Sequence, residues 1–121
     1  MKRILLIEPE FYNRVELEDM LSPHAFQVIS VKDRFSALMK LKSQVFNMIL
    51  VILKKDPAEL YFLLRSLRDS GTGIPVVILS STPTMEVVQK LTRYNPVEIV
   101  VQPYSIKHLV NRLSHINDKV R

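Results

Sequence analysis

The 121-residue sequence predicts an α/β fold, a doubly wound five-stranded parallel sheet covered by five helices. Three observations carry this prediction. Short apolar runs recur five times, about every twenty-five residues. Segments with helical spacing separate them, and six of the seven prolines fall at the joints, outside the helical stripes. Alternating strands and helices indicate a parallel sheet with right-handed crossovers.

The predicted strands are residues 4–7, 26–31, 48–53, 75–79 and 97–101. The first, third and fourth runs are nearly continuous in Ile, Val and Leu, which is typical of strands covered on both faces. In a doubly wound sheet, ligands bind outside the carboxyl ends of the strands. We therefore expect the functional residues directly after these runs.

The predicted helices each carry an apolar stripe on one face. Ser105 is a predicted N-cap of the last helix, and Thr82 with Pro83 is a predicted start of the fourth. The stripes are Leu17, Met20 and Leu21; Ala37, Leu38 and Leu41; Leu60, Leu63, Leu64 and Leu67; Val88 and Leu91; and Ile106, Leu109, Val110, Leu113 and Ile116.

Composition indicates one globular domain over residues 1–121, with no apolar run long enough to span a membrane. The amino terminus is too short in apolar residues for a signal peptide, so a cytoplasmic location is expected. Without cysteine there is no thiolate chemistry, and the two glycines, Gly71 and Gly73, are misplaced for a dinucleotide or P-loop site.

A net charge of +5 leaves a second class of function open. A nucleic-acid or acidic-surface binder could use the basic second and third strand–helix units. The sequence shows no regular alternation of aromatic and basic residues here, so a solvated basic surface is favoured. The basic residues are Lys32, Arg34, Lys40, Lys42, Lys54 and Lys55.

The whole chain resembles the receiver domain of two-component response regulators, which has a flavodoxin-like three-layer fold. The resemblance lies in four sequence segments that occur in the order and at the spacing of that family. They are residues 1–10, 46–53, 74–81 and 100–104. The resemblance implies a phosphorylated Asp after strand three, an acidic pair after strand one that holds a divalent cation, a hydroxyl after strand four, and a Lys-Pro after strand five. It also implies a cis peptide bond before that proline.

The chain departs from this pattern at most of those positions. Ile52 stands at the nucleophile position, Glu8-Pro9 at the acidic pair and Gln102-Pro103 at the Lys-Pro, while Ser80 keeps the hydroxyl. An alkyl side chain cannot attack phosphorus, and Gln carries no positive charge. We therefore predict a degenerate, phosphorylation-independent receiver without catalytic residues or cofactor. Phosphorylation in an atypical way stays open.

Two nearby acids are alternatives for the lost carboxylates. Asp56 lies four residues beyond Ile52, and we predict that it is a loop residue before Pro57. Glu8 and Glu10 lie two apart in an extended segment, so their side chains could converge on a weakly bound metal ion.

The resemblance implies a protein partner that binds the face formed by the fourth helix, the fifth strand and the fifth helix. Ile99 replaces the aromatic residue that accompanies switching in the family. A homodimer is also compatible, whereas nucleic acid is disfavoured and no membrane is expected. The predicted face consists of Tyr94, Ile99, Val101, Tyr104, Lys107, His108, Asn111 and Arg112. A second candidate patch consists of Phe35, Met39, Tyr61 and Phe62.

Overall fold

The structure, a computed structural model, describes residues 1–81, 83–94 and 97–116. The strands are β1 (Lys2–Ile7), β2 (Phe26–Val31), β3 (Met48–Ile52), β4 (Val76–Ser80) and β5 (Val97–Val101). The helices are α1 (Phe11–Leu21), α2 (Arg34–Ser43), α3 (Ala58–Asp69), α4 (Met85–Leu91) and α5 (Ile106–His115), and a 3-10 turn, Ser22–His24, follows α1. The predicted strands are confirmed, with ends shifted by up to two residues.

The five strands form one parallel sheet in the order β2-β1-β3-β4-β5, which confirms the doubly wound prediction. The chain leaves β1 toward one edge of the sheet and returns to β3 on its other side, so the direction of winding reverses there. The register pairs Ile7 with both Val31 and Val51. The residues that follow these three positions therefore emerge together at the carboxyl edge.

The central strands are buried on both faces, and alternate residues supply two separate cores. Leu5 and Ile7 pack with α2, α3 and α4, whereas Ile4 and Leu6 pack with α1 and α5. All four are at most 6% exposed. Each such side chain contributes about 1.5–3 kcal/mol through removal from water. This two-sided burial holds the carboxyl edge on a rigid base.

Two helix starts were predicted from the sequence, and the structure confirms one of them. Ser105 caps α5 as predicted, its Oγ accepting from the backbone N–H of His108 at 3.0 Å. The fourth helix begins at Met85, where the Oγ1 of Thr84 accepts from the N–H of Val87 at 3.2 Å. The predicted start at Thr82-Pro83 is wrong, because the residue whose side chain caps the helix is Thr84. Thr82 itself lies outside the described residues.

Across the described parts of the chain, no helix has the length and apolar character needed to cross a bilayer.

Asp33 offers a test of local stability. Its Oδ1 accepts from the N–H of Ser36 at 2.8 Å at the start of α2, and this bond lowers the pKa of the carboxyl group. We expect Asp33→Ala to lower the midpoint of urea denaturation at neutral pH and Asp33→Asn to lower it much less, because Asn can still accept the hydrogen bond from Ser36.

The pH dependence follows from the same hydrogen bond. Because the folded-state pKa of Asp33 is depressed, its contribution is present above the ordinary value of 3.8 and is lost as pH falls through the folded-state value. In acid, the free energy of unfolding of the natural chain should therefore decrease relative to that of Asp33→Asn. An unchanged difference from pH 7 to strongly acidic solution would contradict this account.

Candidate functional site at the carboxyl edge

Glu8 follows β1 and is a fully buried carboxylate, 0% exposed. Its Oε2 accepts from the backbone N–H of Glu10 at 2.9 Å, at the start of α1. Its Oε1 lies 2.6 Å from the Nζ of Lys54. A carboxylate removed from water needs both an opposite charge and hydrogen bonds, and Glu8 has both. The N-terminus of α1 adds a favourable dipole.

Lys54 reaches this carboxylate from the loop after β3. Its side chain is 43% exposed, so the ammonium group closes the site from the solvent side. In the sequence Lys54 is visible only as a member of a basic stretch, and its pairing with Glu8 was not predicted. A lysine contributes a compact point charge with three donors, so Lys54 supplies the cation that the resemblance assigns to a bound metal ion.

The two candidate metal ligands, Glu8 and Glu10, do converge as expected from their spacing. Both carboxylates lie near the side-chain amide of Asn13. Its Nδ2 donates to Glu10 Oε2 at 3.0 Å and lies 3.4 Å from Glu8 Oε2. Within residues 1–81, 83–94 and 97–116 there is no group of three or more His, Cys, Asp or Glu side chains that could hold a metal ion. The weak metal site stays a prediction.

The residues present do not fit the divalent cation that the resemblance implies. Mg²⁺ requires oxygen ligands in near-octahedral geometry. Glu8 Oε1 is occupied by an ammonium group, which would repel a cation, and neither Pro9 nor Ile52 offers a side-chain oxygen.

Ile52 ends β3 beside Glu8 and is half-buried against the core formed with α1 and α5. It also lines a cavity of about 540 Å³ that opens between α2 and α3. Asp56, the alternative acid, is exposed, and its Oδ1 accepts from the N–H of Ala58 at 3.0 Å. The prediction that Asp56 is a loop residue is confirmed, since the carboxylate serves the first turn of α3.

Ser80 ends β4 and is buried, 2% exposed. It borders a cavity of about 290 Å³ together with Lys54 and Ser81. The backbone carbonyl of Ser80 accepts from the N–H of Gln102 at 2.7 Å, which ties the ends of β4 and β5 together. The Gln102–Pro103 peptide bond is cis, as the resemblance implied.

Tyr104 follows this bond and packs, half-buried, against the same core as Ile52. Burial raises the pKa of Tyr104, while a hydrogen bond with the Gln102 side chain lowers it. The ring fills the β5 end of the edge, next to the position where the resemblance expects a lysine. The carboxyl edge therefore carries a buried ion pair, with two cavities beside it.

The predicted α4–β5–α5 residues are of two kinds. Tyr94 and Ile99 pack partly against the core beneath α3 and α4, and Tyr104 against the other core. The polar members on α5 are exposed, except Arg112, which forms an ion pair with Glu98 of β5. The exposed members are Val101, Lys107, His108 and Asn111.

Three of the four residues of the second predicted patch are exposed. Phe35, Met39 and Phe62 are exposed on α2 and α3, but Tyr61 is half-buried against the core, with Lys90 over its ring. Including Tyr61 was wrong because its position on α3 turns it toward α4. The sequence could not distinguish Tyr61 from Phe62 without the docking angle of the helix.

Comparison with known proteins agrees with this geometry. No protein-family model matches the chain. The Arabidopsis thaliana two-component response regulator-like protein APRR9 is 25% identical over 118 residues, covering 94% of this chain. The chain spans a quarter of the length of that relative.

Three solved structures share the fold along 96% or more of this chain. The chemotaxis protein CheY4 of Vibrio cholerae superimposes with a TM-score of 0.84 at 17% identity, covering 96% of this chain and 98% of its own. The receiver domain of the Francisella response regulator 1452 gives 0.81 at 18% identity, with full coverage of both chains. A sensor protein of Polaromonas gives 0.83 at 21%, covering 99% and 98%. These structures share the flavodoxin-like three-layer fold that the sequence predicts.

The Glu8–Lys54 pair can be tested with a double-mutant cycle. Lys54→Met leaves a buried carboxylate without its cation, and we expect the free energy of unfolding to fall by about 2–3 kcal/mol in urea denaturation at neutral pH. In the Glu8→Gln background, the same lysine change should cost much less, because the amide oxygen still accepts from the Glu10 N–H.

Lys107→Met, on the exposed face of α5, is the matched control for removing a lysine. Equal losses for Lys54→Met and Lys107→Met would contradict a structural role for the pair.

Proposed function

We propose that this chain is a receiver-like signalling domain that acts without phosphorylation, by binding another protein. The observation that carries the proposal is the contact of 2.6 Å between Lys54 Nζ and Glu8 Oε1. The resemblance implies that a carboxylate at this position helps to bind the divalent cation needed for phosphoryl transfer. Here the ammonium group of Lys54 forms an ion pair with that carboxylate.

The neighbouring residues support the same conclusion. Ile52 offers no oxygen to attack phosphorus, and Gln102 offers no cation to neutralise a transferring phosphoryl group. We therefore propose a domain without enzymatic activity. The similarity to a protein named as response regulator-like is consistent with a signalling role that does not depend on the phosphorylation chemistry.

The partner class follows from the surface charges. Two of the six basic residues proposed for nucleic-acid binding are used inside the domain: Lys54 by Glu8 and Arg34 by Glu59, at 2.7 Å. Their charges are compensated locally, which weakens a phosphate-binding surface. A protein partner is therefore the better-supported class.

The first test is treatment of the domain with a small phosphodonor and Mg²⁺, followed by intact mass measurement. We expect no phosphoryl adduct, because no carboxylate lies at the Ile52 position. We also expect no amide-shift changes with Mg²⁺ and beryllofluoride, and a melting temperature unaffected by EDTA.

A phosphorylatable receiver treated in parallel shows that the donor is active, and Asp56→Asn serves as the variant lacking the nearest alternative acid. An adduct on the natural chain that disappears in Asp56→Asn would sink the proposal and establish atypical phosphorylation.

A second test reintroduces the lost carboxylate. We expect Ile52→Asp to remain unphosphorylated, since Lys54 still occupies Glu8 and Gln102 still replaces the lysine. The new acid should also lower the free energy of unfolding by about 2–3 kcal/mol, because it lies in apolar surroundings beside another carboxylate.

Ile52→Asn separates the two effects, as it places a polar group of the same size without the charge. Phosphorylation of Ile52→Asp by the same donor would show that Lys54 does not block the site.

A further inference from the structure

Phe35, in the first turn of α2, carries an exposed ring at the wall of an apolar cavity. The residue is 65% exposed, although it lines the cavity of about 540 Å³ that opens between α2 and α3. The inner wall of this cavity consists of core residues, each at most 8% exposed: Ile7, Val51, Leu60 and Leu63. An inward turn of the ring removes apolar surface of both the ring and these side chains from water.

Arg34 lies against the ring and opposes this turn. Its guanidinium carbon is 4.5 Å from the ring centre of Phe35 and 5.1 Å from that of Phe62. The same guanidinium is bound to the Glu59 carboxylate, whose oxygens lie 2.7 and 2.8 Å from Nη1. Attraction between the cation and the ring face therefore holds Phe35 at the surface. Of the two rings, Phe35 lines the cavity and Phe62 does not, so Phe35 is the one placed to enter it.

The charged side chains that line the cavity balance, and this balance favours an uncharged occupant. A charged group that enters the apolar interior loses its hydration, and no excess of opposite charge is present to compensate it, whereas a phenyl ring carries no charge to desolvate. The cavity volume lies within the range of about 300–1,000 Å³ that holds small ligands, so one ring has room. The charged residues of the wall are Lys32, Arg34, Lys54, Asp33, Asp56 and Glu59.

The turn requires rotation about a single side-chain bond. In an α-helix, aromatic side chains adopt a χ1 of about 180° or about −60°, and these two rotamers point the ring in different directions from the same backbone. Exposed side chains change rotamer within picoseconds to nanoseconds. The backbone of α2 therefore stays in place, and the contacts of Arg34 set the balance between the two positions of the ring.

We propose that the Phe35 ring is a lid for the cavity between α2 and α3 and that Arg34 is its latch. While the guanidinium lies over the ring, the cavity stays open; when the guanidinium is drawn away, the ring turns inward and closes it. The latch is accessible, because the Glu59 side chain that binds Arg34 is 75% exposed. A molecule that competes for either charge therefore changes the shape of this surface. The inference concerns the domain itself and does not depend on the proposed function.

The test is NMR spectroscopy of the methyl-labelled domain, which observes the Val51 and Leu63 methyl groups in the cavity wall. Arg34→Met removes the guanidinium and keeps an unbranched apolar chain. In this variant we expect the two sets of methyl resonances to move upfield and to show strong nuclear Overhauser contacts with the Phe35 ring protons. In the natural chain these contacts should be much weaker, because the ring lies outside.

Two further variants separate the lid from other effects. Arg68→Met is the matched control, since its guanidinium carbon lies 5.2 Å from a different ring, that of Tyr94, and it should leave the methyl resonances of the cavity wall in place. Glu59→Gln keeps Arg34 but weakens its anchor at the surface. It should move the same resonances in the same direction by a smaller amount.

Three outcomes would overturn the inference. Methyl resonances that stay in place in both Arg34→Met and Glu59→Gln would show that the ring remains outside. An upfield shift that persists when Phe35→Ser is added to either variant would come from another movement of the helices. An equal shift in Arg68→Met would be a general effect of losing an arginine. Because Glu59 is exposed, Glu59→Gln decides the matter if Arg34→Met unfolds.

Discussion

A fully buried carboxylate at the end of the first strand constrains the whole carboxyl edge. Glu8 has no contact with water, so its charge must be compensated within the protein. Lys54 does so from the loop after β3, and the Glu10 N–H does so from the start of α1. Arg14 adds a further link, its Nη1 donating to the Glu8 backbone carbonyl at 2.9 Å. The β1–α1 and β3–α3 connections are thus held together by one charge.

This arrangement changes the character of the edge. A receiver that transfers phosphate keeps several like charges close together and needs a cation to hold them. Here Glu8 is paired with Lys54, the adjacent Ile52 is apolar, and the Asn13 amide lies between the Glu8 and Glu10 carboxylates. The β5 end follows the same pattern, because Gln102 is bonded to Ser80 through the backbone and Tyr104 packs into the core.

The face expected from the resemblance is only half exposed, because Tyr94 and Tyr104 pack partly against the two cores and Arg112 pairs with Glu98. Basic residues that stand close together in the sequence likewise have distinct contacts in the fold. Lys54 pairs with Glu8, whereas Lys32 and Lys55 are exposed.

The sequence by itself determined the strand–helix order, the parallel sheet and the missing carboxylate at Ile52, because local periodicity and side-chain identity are visible without coordinates. It also determined the Ser105 cap, which depends only on the four residues 105–108. Tertiary structure alone decided that Lys54 pairs with Glu8 and that Tyr61 turns inward while Phe62 stays exposed. Those outcomes depend on the path of a loop and on the docking angle of a helix, which are set by packing between elements distant in the chain.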